Sequence, residues 1–184
     1  NITDYRYDDF DRLQEIEYPA ATIGATRLKV NYTYDDLGRI KTLSDTAGRL
    51  TTYNYFDSQR KNEIINAENE KTTVEYNDRF QTTKVIDALL QEYVFTYDPL
   101  GRQLTQTRSG ATMTFEYDAV GNRTKRTDYK SDITNYIYDN VNRLKNINYP
   151  DSTENIVLTY DAISRLTKAT KNAQDTTFVY NKRH

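Results

Sequence analysis

Cysteine and tryptophan are absent from this 184-residue sequence, and histidine occurs once, as His184. The lack of cysteine excludes disulfide bonds and thiolate metal sites, and a single terminal histidine argues against histidine-based catalysis or metal binding. Six glycines and three prolines leave no linker that would divide the chain. No apolar run approaches the length of a membrane span, and the 25 basic and 27 acidic residues are well mixed. We therefore expect no cofactor, no nucleic-acid partner and no membrane span.

Tyrosine is the residue that the sequence has in abundance. The hydrophobic fraction is 36% and mean hydropathy is −0.90, yet 17 of the 184 residues are tyrosine. A disordered chain is poor in aromatic residues. The composition therefore indicates extended sheets with a tyrosine-rich surface that stays partly in contact with water.

One short phrase recurs along the chain, as in YTYDDLGR (32–39), FTYDPLGR (95–102) and LTYDAISR (158–165). Its second aromatic residue, called the anchor here, recurs at intervals of 27, 21, 21, 21, 20, 21, 22 and 20 residues. The anchors are Tyr7, Tyr34, Tyr55, Tyr76, Tyr97, Tyr117, Tyr138, Tyr160 and Tyr180. A fixed period of this length is the signature of a repeat architecture.

Each anchor is preceded, two positions earlier, by another apolar or aromatic residue, such as Tyr32 before Tyr34. A two-residue apolar spacing is strand periodicity, with both side chains on one face. Asp follows the anchor in six of the nine copies, and Gly or a small polar residue stands four positions after most anchors. Such residues close tight turns and accept positive φ. These fourth positions are Asp11, Gly38, Gln59, Gly101, Gly121, Asn142 and Ser164.

A second strand and a second turn follow in each unit, so each unit is a hairpin. The sequence predicts an all-β fold: an antiparallel meander of repeated β-hairpins with a period of about 21 residues, roughly eighteen strands in all. A sheet of that width curls, into a spiral or part of a hollow shell. The copy at Tyr76 (YNDRFQ) is interpreted as one that has lost the pattern, and Phe56 replaces Asp after Tyr55.

An arginine follows most anchors by five positions, and we expect Arg39, Arg102, Arg143 and Arg165 to lie against anchor rings. If a four-residue turn sets each anchor opposite the arginine, the cross-strand pairs can be counted outward from it. The predicted pairs are Tyr32 with Lys41, Val30 with Leu43, Phe95 with Leu104, Tyr136 with Lys145 and Ile156 with Ala169. The nine anchors and these four arginines are therefore expected to form a Tyr/Arg ladder across the sheet, with a structural role.

The phrase and its period resemble the YD repeat, also called the RHS repeat, over essentially the whole chain. That family includes shells of bacterial polymorphic toxins and insecticidal toxin complexes, wall-associated proteins and animal teneurins. The resemblance implies a spiralling shell. It implies a structural segment of a secreted bacterial shell that encloses or delivers a C-terminal toxin or effector. Further repeats of the parent chain and that toxin are the implied partners. We interpret residues 1–184 as a single segment of about eight units from a longer protein.

An extracellular adhesion or glycan-binding surface, with a cell-surface glycan as partner, is the alternative function. The expected location is secreted or on the bacterial cell surface under either reading. Neither reading makes the chain an enzyme, because the Asp residues recur in most units and an active site needs one differentiated cluster. Many toxin shells of the family end in an Asp-Pro-x-Gly-Leu-like cleavage motif. The related stretch DPLGR (98–102) lies in phase with the other copies, and we interpret it as an ordinary repeat turn.

Overall fold

The computed structural model describes residues 2–22 and 24–181. The chain forms two compact units, with the division between Tyr93 and Val94. The described residues form 17 β-strands and two short 3₁₀ turns, Asp57–Gln59 and Ser152–Glu154, and contain no α-helix. This confirms the all-β class predicted from the two-residue periodicity.

The first unit is a meander of eight strands, each paired antiparallel with the next. They are β1 (Asp4–Tyr7), β2 (Leu13–Glu17), β3 (Lys29–Tyr34), β4 (Ile40–Asp45), β5 (Leu50–Phe56), β6 (Lys61–Ile65), β7 (Lys71–Tyr76) and β8 (Thr82–Ile86). β9 (Glu92–Tyr97) contains the division between the units.

The second unit continues the pattern from β10, again with each strand paired antiparallel to the next. Its strands are β10 (Gln103–Arg108), β11 (Ala111–Tyr117), β12 (Arg123–Thr127), β13 (Ile133–Tyr138), β14 (Leu144–Asn148), β15 (Ile156–Tyr160), β16 (Leu166–Lys171) and β17 (Gln174–Thr177). Repeated antiparallel hairpins are thus confirmed within each unit.

The predicted cross-strand register is wrong because the turn and the strand after it each hold one more residue than expected. The turn closes between Asp35 and Arg39, whose main chains are bonded at 2.9 Å, so the arginine belongs to the turn. A β-bulge then lies immediately before the anchor, between Thr33 and Tyr34. A bulge sets two residues of one strand against one of its partner.

The register observed around these bulges brings tyrosines opposite aliphatic residues, and aliphatic residues further along the strands opposite charged ones. Tyr32 pairs with Leu43 where Lys41 was expected, and Val30 pairs with Asp45. The same correction applies in the second unit, where the observed pairs are Tyr136 with Ile147 and Ile156 with Lys171. The predicted pair of Phe95 with Leu104 stays a prediction.

The two faces of each sheet differ in chemistry. Anchor-face pairs include Tyr53 with Ile64, whereas the opposite face carries pairs such as Thr33 with Thr42, whose hydroxyls lie 2.6 Å apart. Among the described residues no hydrophobic side chain is fully buried. Stability therefore comes from many cross-strand pairs, each contributing roughly 0.2–1 kcal/mol, and from contacts between successive repeats within each unit.

Candidate functional site

The Asp that follows each anchor organises the turn after it. In the second repeat, Oδ1 of Asp35 accepts hydrogen bonds from the main-chain N–H of Leu37 (3.0 Å) and of Arg39 (2.8 Å). Its Oδ2 accepts one from Nε of Arg39 at 2.8 Å. The same bonds recur at Asp8, Asp98, Asp139 and Asp161. These carboxylates are therefore turn-forming groups, as the spacing predicted.

The fourth position after the anchor has positive φ in most of these turns. It is 78° at Gly38 and 66° at Ser164, and Asp11, Gly101, Gly121 and Asn142 share this conformation. Gln59 is an exception to the expectation, because the positive φ of that copy falls on Arg60, at 48°. A 3₁₀ turn over Asp57–Gln59 has displaced it by one residue.

The arginine of one repeat reaches into the next. Nε of Arg143 donates to Asp139 of its own turn at 2.7 Å, and its Nη1 donates to the carbonyl of Asp161 at 3.2 Å. Its guanidinium also stacks on the Tyr160 ring, 4.8 Å from the centroid. One planar group thus joins two turns and one ring, which a lysine could not do with the same geometry.

The four arginines singled out from the sequence all lie over the anchor ring of the following repeat. The centroid distances are 4.1 Å for Arg39 on Tyr55, 4.8 Å for Arg102 on Tyr117, 4.8 Å for Arg143 on Tyr160 and 4.6 Å for Arg165 on Tyr180. Arg12, which was not singled out, lies 4.5 Å from Tyr34. Arg12 follows Tyr7 by the same five positions as the other four follow their anchors, and this spacing was sufficient to predict the contact.

The anchor hydroxyl supplies a contact that the sequence analysis missed. Tyr160 donates a hydrogen bond to the carbonyl oxygen of Leu144, the residue after Arg143, at 2.8 Å. Equivalent bonds run from Tyr34 to Leu13, Tyr55 to Ile40, Tyr117 to Gln103, Tyr138 to Arg123 and Tyr180 to Leu166, at 2.6–3.2 Å. We call the combination of Asp turn, stacked arginine and anchor hydroxyl the interlock.

Two further anchors, Tyr7 and Tyr97, end strands β1 and β9, and the turn after Tyr117 holds Asn122 in place of an arginine. Tyr7 lies in β1, the first described strand, and is 58% exposed. Tyr97 ends β9, and burial raises the pKa of its hydroxyl. In the repeat of Tyr117, Asn122 takes the arginine's place in the turn by donating to Asp118 at 2.9 Å. Arg123, one position later, stacks on Tyr136 at 4.7 Å.

The repeat at Tyr76 keeps its turn, so its interpretation as a lost copy is wrong. Asn77 accepts from the main-chain N–H of Arg79 and Gln81, both at 3.0 Å, and its Nδ2 donates to Oε1 of Gln81 at 2.9 Å. A neutral amide pair therefore replaces the Asp–Arg pair with the same geometry. Phe80 occupies the positive-φ position, at 58°.

The turns at the other end of the hairpins use the same device. Asp45 accepts from the N–H of Ala47 and Arg49 and from Nε of Arg49, at 2.9, 3.0 and 2.6 Å. Related turns begin at Asn66, Asp87 and Asp128. The sequence predicted a second turn in each repeat but not the shared Asx chemistry, since Glu70, Gln91 and Asp132 replace the arginine.

Hydrogen bonding favours the ionised forms of the carboxylates and the arginines in the interlock. The main-chain N–H of Arg143 and its side chain hold the pKa of Asp139 below the ordinary 3.8, against a smaller opposing effect of burial. Arg165 acts on Asp161 in the same way. The hydrogen bond to Asp57, and then that to Asp35, raises the pKa of Arg39 further above its ordinary value. The ion pairs are therefore present throughout the physiological pH range.

The stretch DPLGR forms an interlock turn of the common type. Asp98 accepts from the N–H of Leu100 and of Arg102, both at 2.9 Å, and from Nε of Arg102 at 2.6 Å. Both carboxylate oxygens of Asp98 are thus occupied by turn contacts. This supports its interpretation as an ordinary repeat.

The tips of the interlock turns are exposed and apolar. Leu37 is 72% exposed, Leu100 76% and Ile163 68%, each three positions after its anchor. Phe10, Val120 and Val141 occupy the same position in their repeats. Because these turns join β1 to β2, β3 to β4 and so on, they lie at one edge of each unit's meander, the edge formed by the strand ends. This row was not predicted from the sequence.

The described residues contain neither a cluster of metal-ligating side chains nor a helix that could span a membrane. Residues 2–22 and 24–181 hold no group of three or more His, Asp or Glu side chains arranged to bind a metal ion. No helix in this part of the chain has the length and apolar character that crossing a membrane requires.

Comparison with known proteins places the repeat in context. The family model described as "Teneurin YD-shell" matches residues 2–145. No curated protein matches the chain. A crystal structure of TcdB2-TccC3-Cdc42 is similar, with TM-score 0.70 and 13% identity, over 93% of this chain. A Tc holotoxin pore of Photorhabdus luminescens is similar with TM-score 0.71 and 14% identity, over 91%. This chain covers 11% of each of those chains, and at such identities the likeness concerns the fold.

Proposed function

This chain belongs to the teneurin YD-shell family, and we propose that it is a wall segment of a secreted bacterial shell that encloses and delivers a C-terminal toxin or effector. It is not itself an enzyme in this proposal. Its partners are further YD repeats of the same parent chain and the enclosed toxin. The 184 residues act together as one repeat segment of a longer protein.

The observation that carries the proposal is the recurrence of the interlock. The stacked arginine and the anchor hydroxyl recur in successive repeats, and each pair joins one repeat to the following one. Contacts that extend a sheet by identical steps build a wall of any length, as in other repeat proteins. A catalytic centre, by contrast, concentrates different groups at one place.

The exposed turn tips support the choice of partner. A row of leucine, valine, isoleucine and phenylalanine side chains along one edge is costly in water, by roughly 25 cal/mol for each Å² of apolar surface left exposed. In a shell made of a long curled sheet, the edges of successive layers come together. We therefore propose that further repeats of the parent chain cover these tips.

The solved neighbours support a toxin as the proposed cargo. Both structures contain TccC3, one of them is a Tc holotoxin pore, and the matching family is described as a shell. An extracellular adhesion surface is the alternative, since a sheet of the same construction could display its outer face to a partner cell.

The test uses the complete reading frame that encodes residues 1–184. The purified protein is imaged by electron cryomicroscopy and digested with a protease before and after the wall is loosened with urea. A closed wall around a C-terminal domain that resists the protease until urea is added supports the proposal. A sheet with no enclosed density, and a C-terminal region cleaved at the same rate with and without urea, would instead favour the adhesion role.

A matched pair of variants tests the turn tips. Val120→Asp with Val141→Asp places charges where neighbouring repeats are proposed to pack, and we expect open or fragmented shells. The control, Ala119→Asp with Asn140→Asp, adds the same charges one position away in the same exposed turns. Closed shells from both double variants would contradict the proposed edge contact.

A further inference from the structure

The stacked arginine of the Tyr117 repeat has no carboxylate partner. Asn122 fills the arginine's place in that turn. Arg123, one position later, lies 4.7 Å from the ring centroid of Tyr136 and 5.7 Å from that of Phe115. It is exposed, and in the part of the chain that the structure describes its guanidinium forms no ion pair. The stacked arginines of five other repeats each bond the Asp of their own turn: Arg12 with Asp8, Arg39 with Asp35, Arg102 with Asp98, Arg143 with Asp139 and Arg165 with Asp161.

A second arginine on the same strand stands where other repeats have an aliphatic residue. Arg126 pairs with Phe115 on one side and with Thr134 on the other, so the three side chains project from the anchor face. In other repeats, the residue across from the one two positions before the anchor is Ile16, Leu43, Ile64, Val85, Ile147 or Ala169. Among these observed pairs, only Arg126 brings a charge to this position.

Arg126 also lacks the partners that a half-buried cation needs. Its Nε is enclosed without a hydrogen-bond acceptor, and its guanidinium forms no ion pair among the described residues. The adjacent Thr134 is only 3% exposed. The nearby carboxylate of Asp128 accepts from main-chain N–H groups of its own turn, and Arg126 acts on it through its charge without an ion pair. A cation in such surroundings is unfavourable unless a partner supplies an acceptor.

We propose that Arg123 and Arg126 form a docking site for an acidic peptide in extended conformation, with two carboxylates two residues apart. Side chains at this spacing lie on one face of an extended chain, roughly 7 Å apart, so both carboxylates can reach arginines that adjoin Phe115. A guanidinium bonds a planar carboxylate through two parallel N–H groups. For the source of the peptide the inference rests on the proposed function, and we assign it to the enclosed polypeptide.

The surroundings of the two arginines favour a peptide over a small anion. On the anchor face beside them, Tyr136 pairs with Ile147, and Ile147 with Ile156. Apolar side chains that flank the carboxylates of a peptide can pack on these residues, as in other sites where arginines recognise acidic segments. A phosphate ion would contact the two cations and leave the apolar surface exposed.

The first test titrates the 184-residue chain with the acetylated and amidated peptide Ala-Glu-Val-Glu-Ala and follows the Nε–H signals of Arg123 and Arg126 by NMR. The same peptide with Gln in place of Glu has the shape without the charge, and inorganic phosphate has the charge without the peptide. We expect the Glu peptide to bind about tenfold or more tighter than either, as one charge-assisted contact would produce. Equal affinity of the Gln peptide or of phosphate, or no binding of the Glu peptide, would overturn the proposal.

Arg126→Leu tests the location. Leucine is the residue at the equivalent position 43, so the urea midpoint should be equal or higher while most of the preference for the Glu peptide is lost. Lys130→Leu is the matched control, because it removes the same charge from an exposed position four residues away. We expect this variant to bind like the unaltered chain. An equal loss in both variants would show that net charge, and not the arginine pair, attracts the peptide.

Arg123→Gln provides a second variant in case Arg126→Leu disturbs folding. Asn122 holds the turn in place of the arginine, so the turn should persist while one cation is removed. We expect weaker binding of the Glu peptide. Unchanged binding in both Arg123→Gln and a folded Arg126→Leu variant would exclude this pair as the site.

The source of the peptide is tested in the complete protein. Phe115→p-benzoylphenylalanine places a photoreactive group beside both arginines, and mass spectrometry identifies the cross-linked segment. We expect an acidic stretch of the C-terminal region. Cross-links only to neighbouring repeats, in a protein whose images show a closed wall around its cargo, would contradict the assigned source and leave the proposed function intact. If the wall itself is absent, the proposed function fails, and the peptide titration still decides whether the arginine pair binds acidic segments.

Discussion

The hydroxyl of Tyr160 donates a 2.8 Å hydrogen bond to the main-chain carbonyl oxygen of Leu144. The two residues belong to successive repeats, and the Arg143 guanidinium stacks on the same tyrosine ring. The ring is therefore held from its face and from its hydroxyl by one preceding repeat. This explains why tyrosine, and not phenylalanine, recurs at the anchor position of a sheet that lacks a fully buried hydrophobic core among its described residues.

Removal of this hydroxyl should lower the stability of the fold by a measurable amount. Tyr160→Phe keeps the ring under Arg143 but leaves the Leu144 carbonyl without its donor, so we expect a loss of about 1 kcal/mol in the free energy of unfolding. Urea denaturation followed by far-UV circular dichroism gives the value. Tyr5→Phe is the control, because the Tyr5 hydroxyl has no hydrogen-bond partner among the described residues and should be within error of the unaltered chain. Equal midpoints for the two variants would contradict the hydroxyl's role.

The arginine should not be replaceable by lysine. Arg143→Lys keeps the charge but loses the planar group that bonds Asp139, bonds the Asp161 carbonyl and stacks on Tyr160. We expect a lower urea midpoint. The reverse type of change at an exposed strand position of the same repeat, Lys145→Arg, should leave the midpoint unchanged. A midpoint for Arg143→Lys equal to that of Lys145→Arg would show that charge alone is sufficient.

Acid should weaken the fold through the turn carboxylates. Hydrogen bonds from Arg143 and Arg165 lower the pKa values of Asp139 and Asp161 below 3.8 in the folded state. A carboxyl group whose pKa is lower in the folded chain than in the unfolded chain stabilises the fold at pH values above its unfolded pKa. That contribution is lost as the pH falls through the folded pKa. Unfolding midpoints should therefore decline from about pH 4 downward. Asp139→Asn should reduce the steepness of that decline, and an unaltered profile would argue against this linkage.

Two adjacent leucines distinguish backbone strain from exposure. Leu89 and Leu90 are 84% and 80% exposed, but of the two only Leu90 has positive φ, at 59°. Leu90→Gly should raise the free energy of unfolding by about 1 kcal/mol because glycine adopts the left-handed region without the clash of a Cβ atom. Leu89→Gly should instead be neutral or destabilising, since glycine has greater freedom in the unfolded chain. Stabilisation by both replacements would point to relief of apolar exposure.

The sequence by itself determined the features that rest on contacts a few residues apart. The period of the anchors, the strands with alternating apolar residues and the turns from Asp35 to Arg39 or Asp161 to Arg165 all follow from local spacing. An Asp side chain bonds N–H groups two and four residues ahead whatever surrounds it. The approach of Arg39, Arg102, Arg143 and Arg165 to anchor rings also followed, because the strand that starts after each of these arginines lies next to the strand that carries the following anchor.

Only the tertiary structure decided the features that depend on register between repeats. Because of the bulge at Thr33 and Tyr34, the partner of Tyr32 is Leu43 and not the predicted Lys41, and no residue type by itself predicts a bulge. The carbonyl that receives the Tyr160 hydroxyl belongs to a backbone group that every residue has, so its identity is invisible in the sequence. Arg60 matches the consensus position yet turns away, because the Asp that would bind it is Phe56. Contacts between repeats depend on where two distant backbones meet, and sequence spacing alone does not specify that geometry.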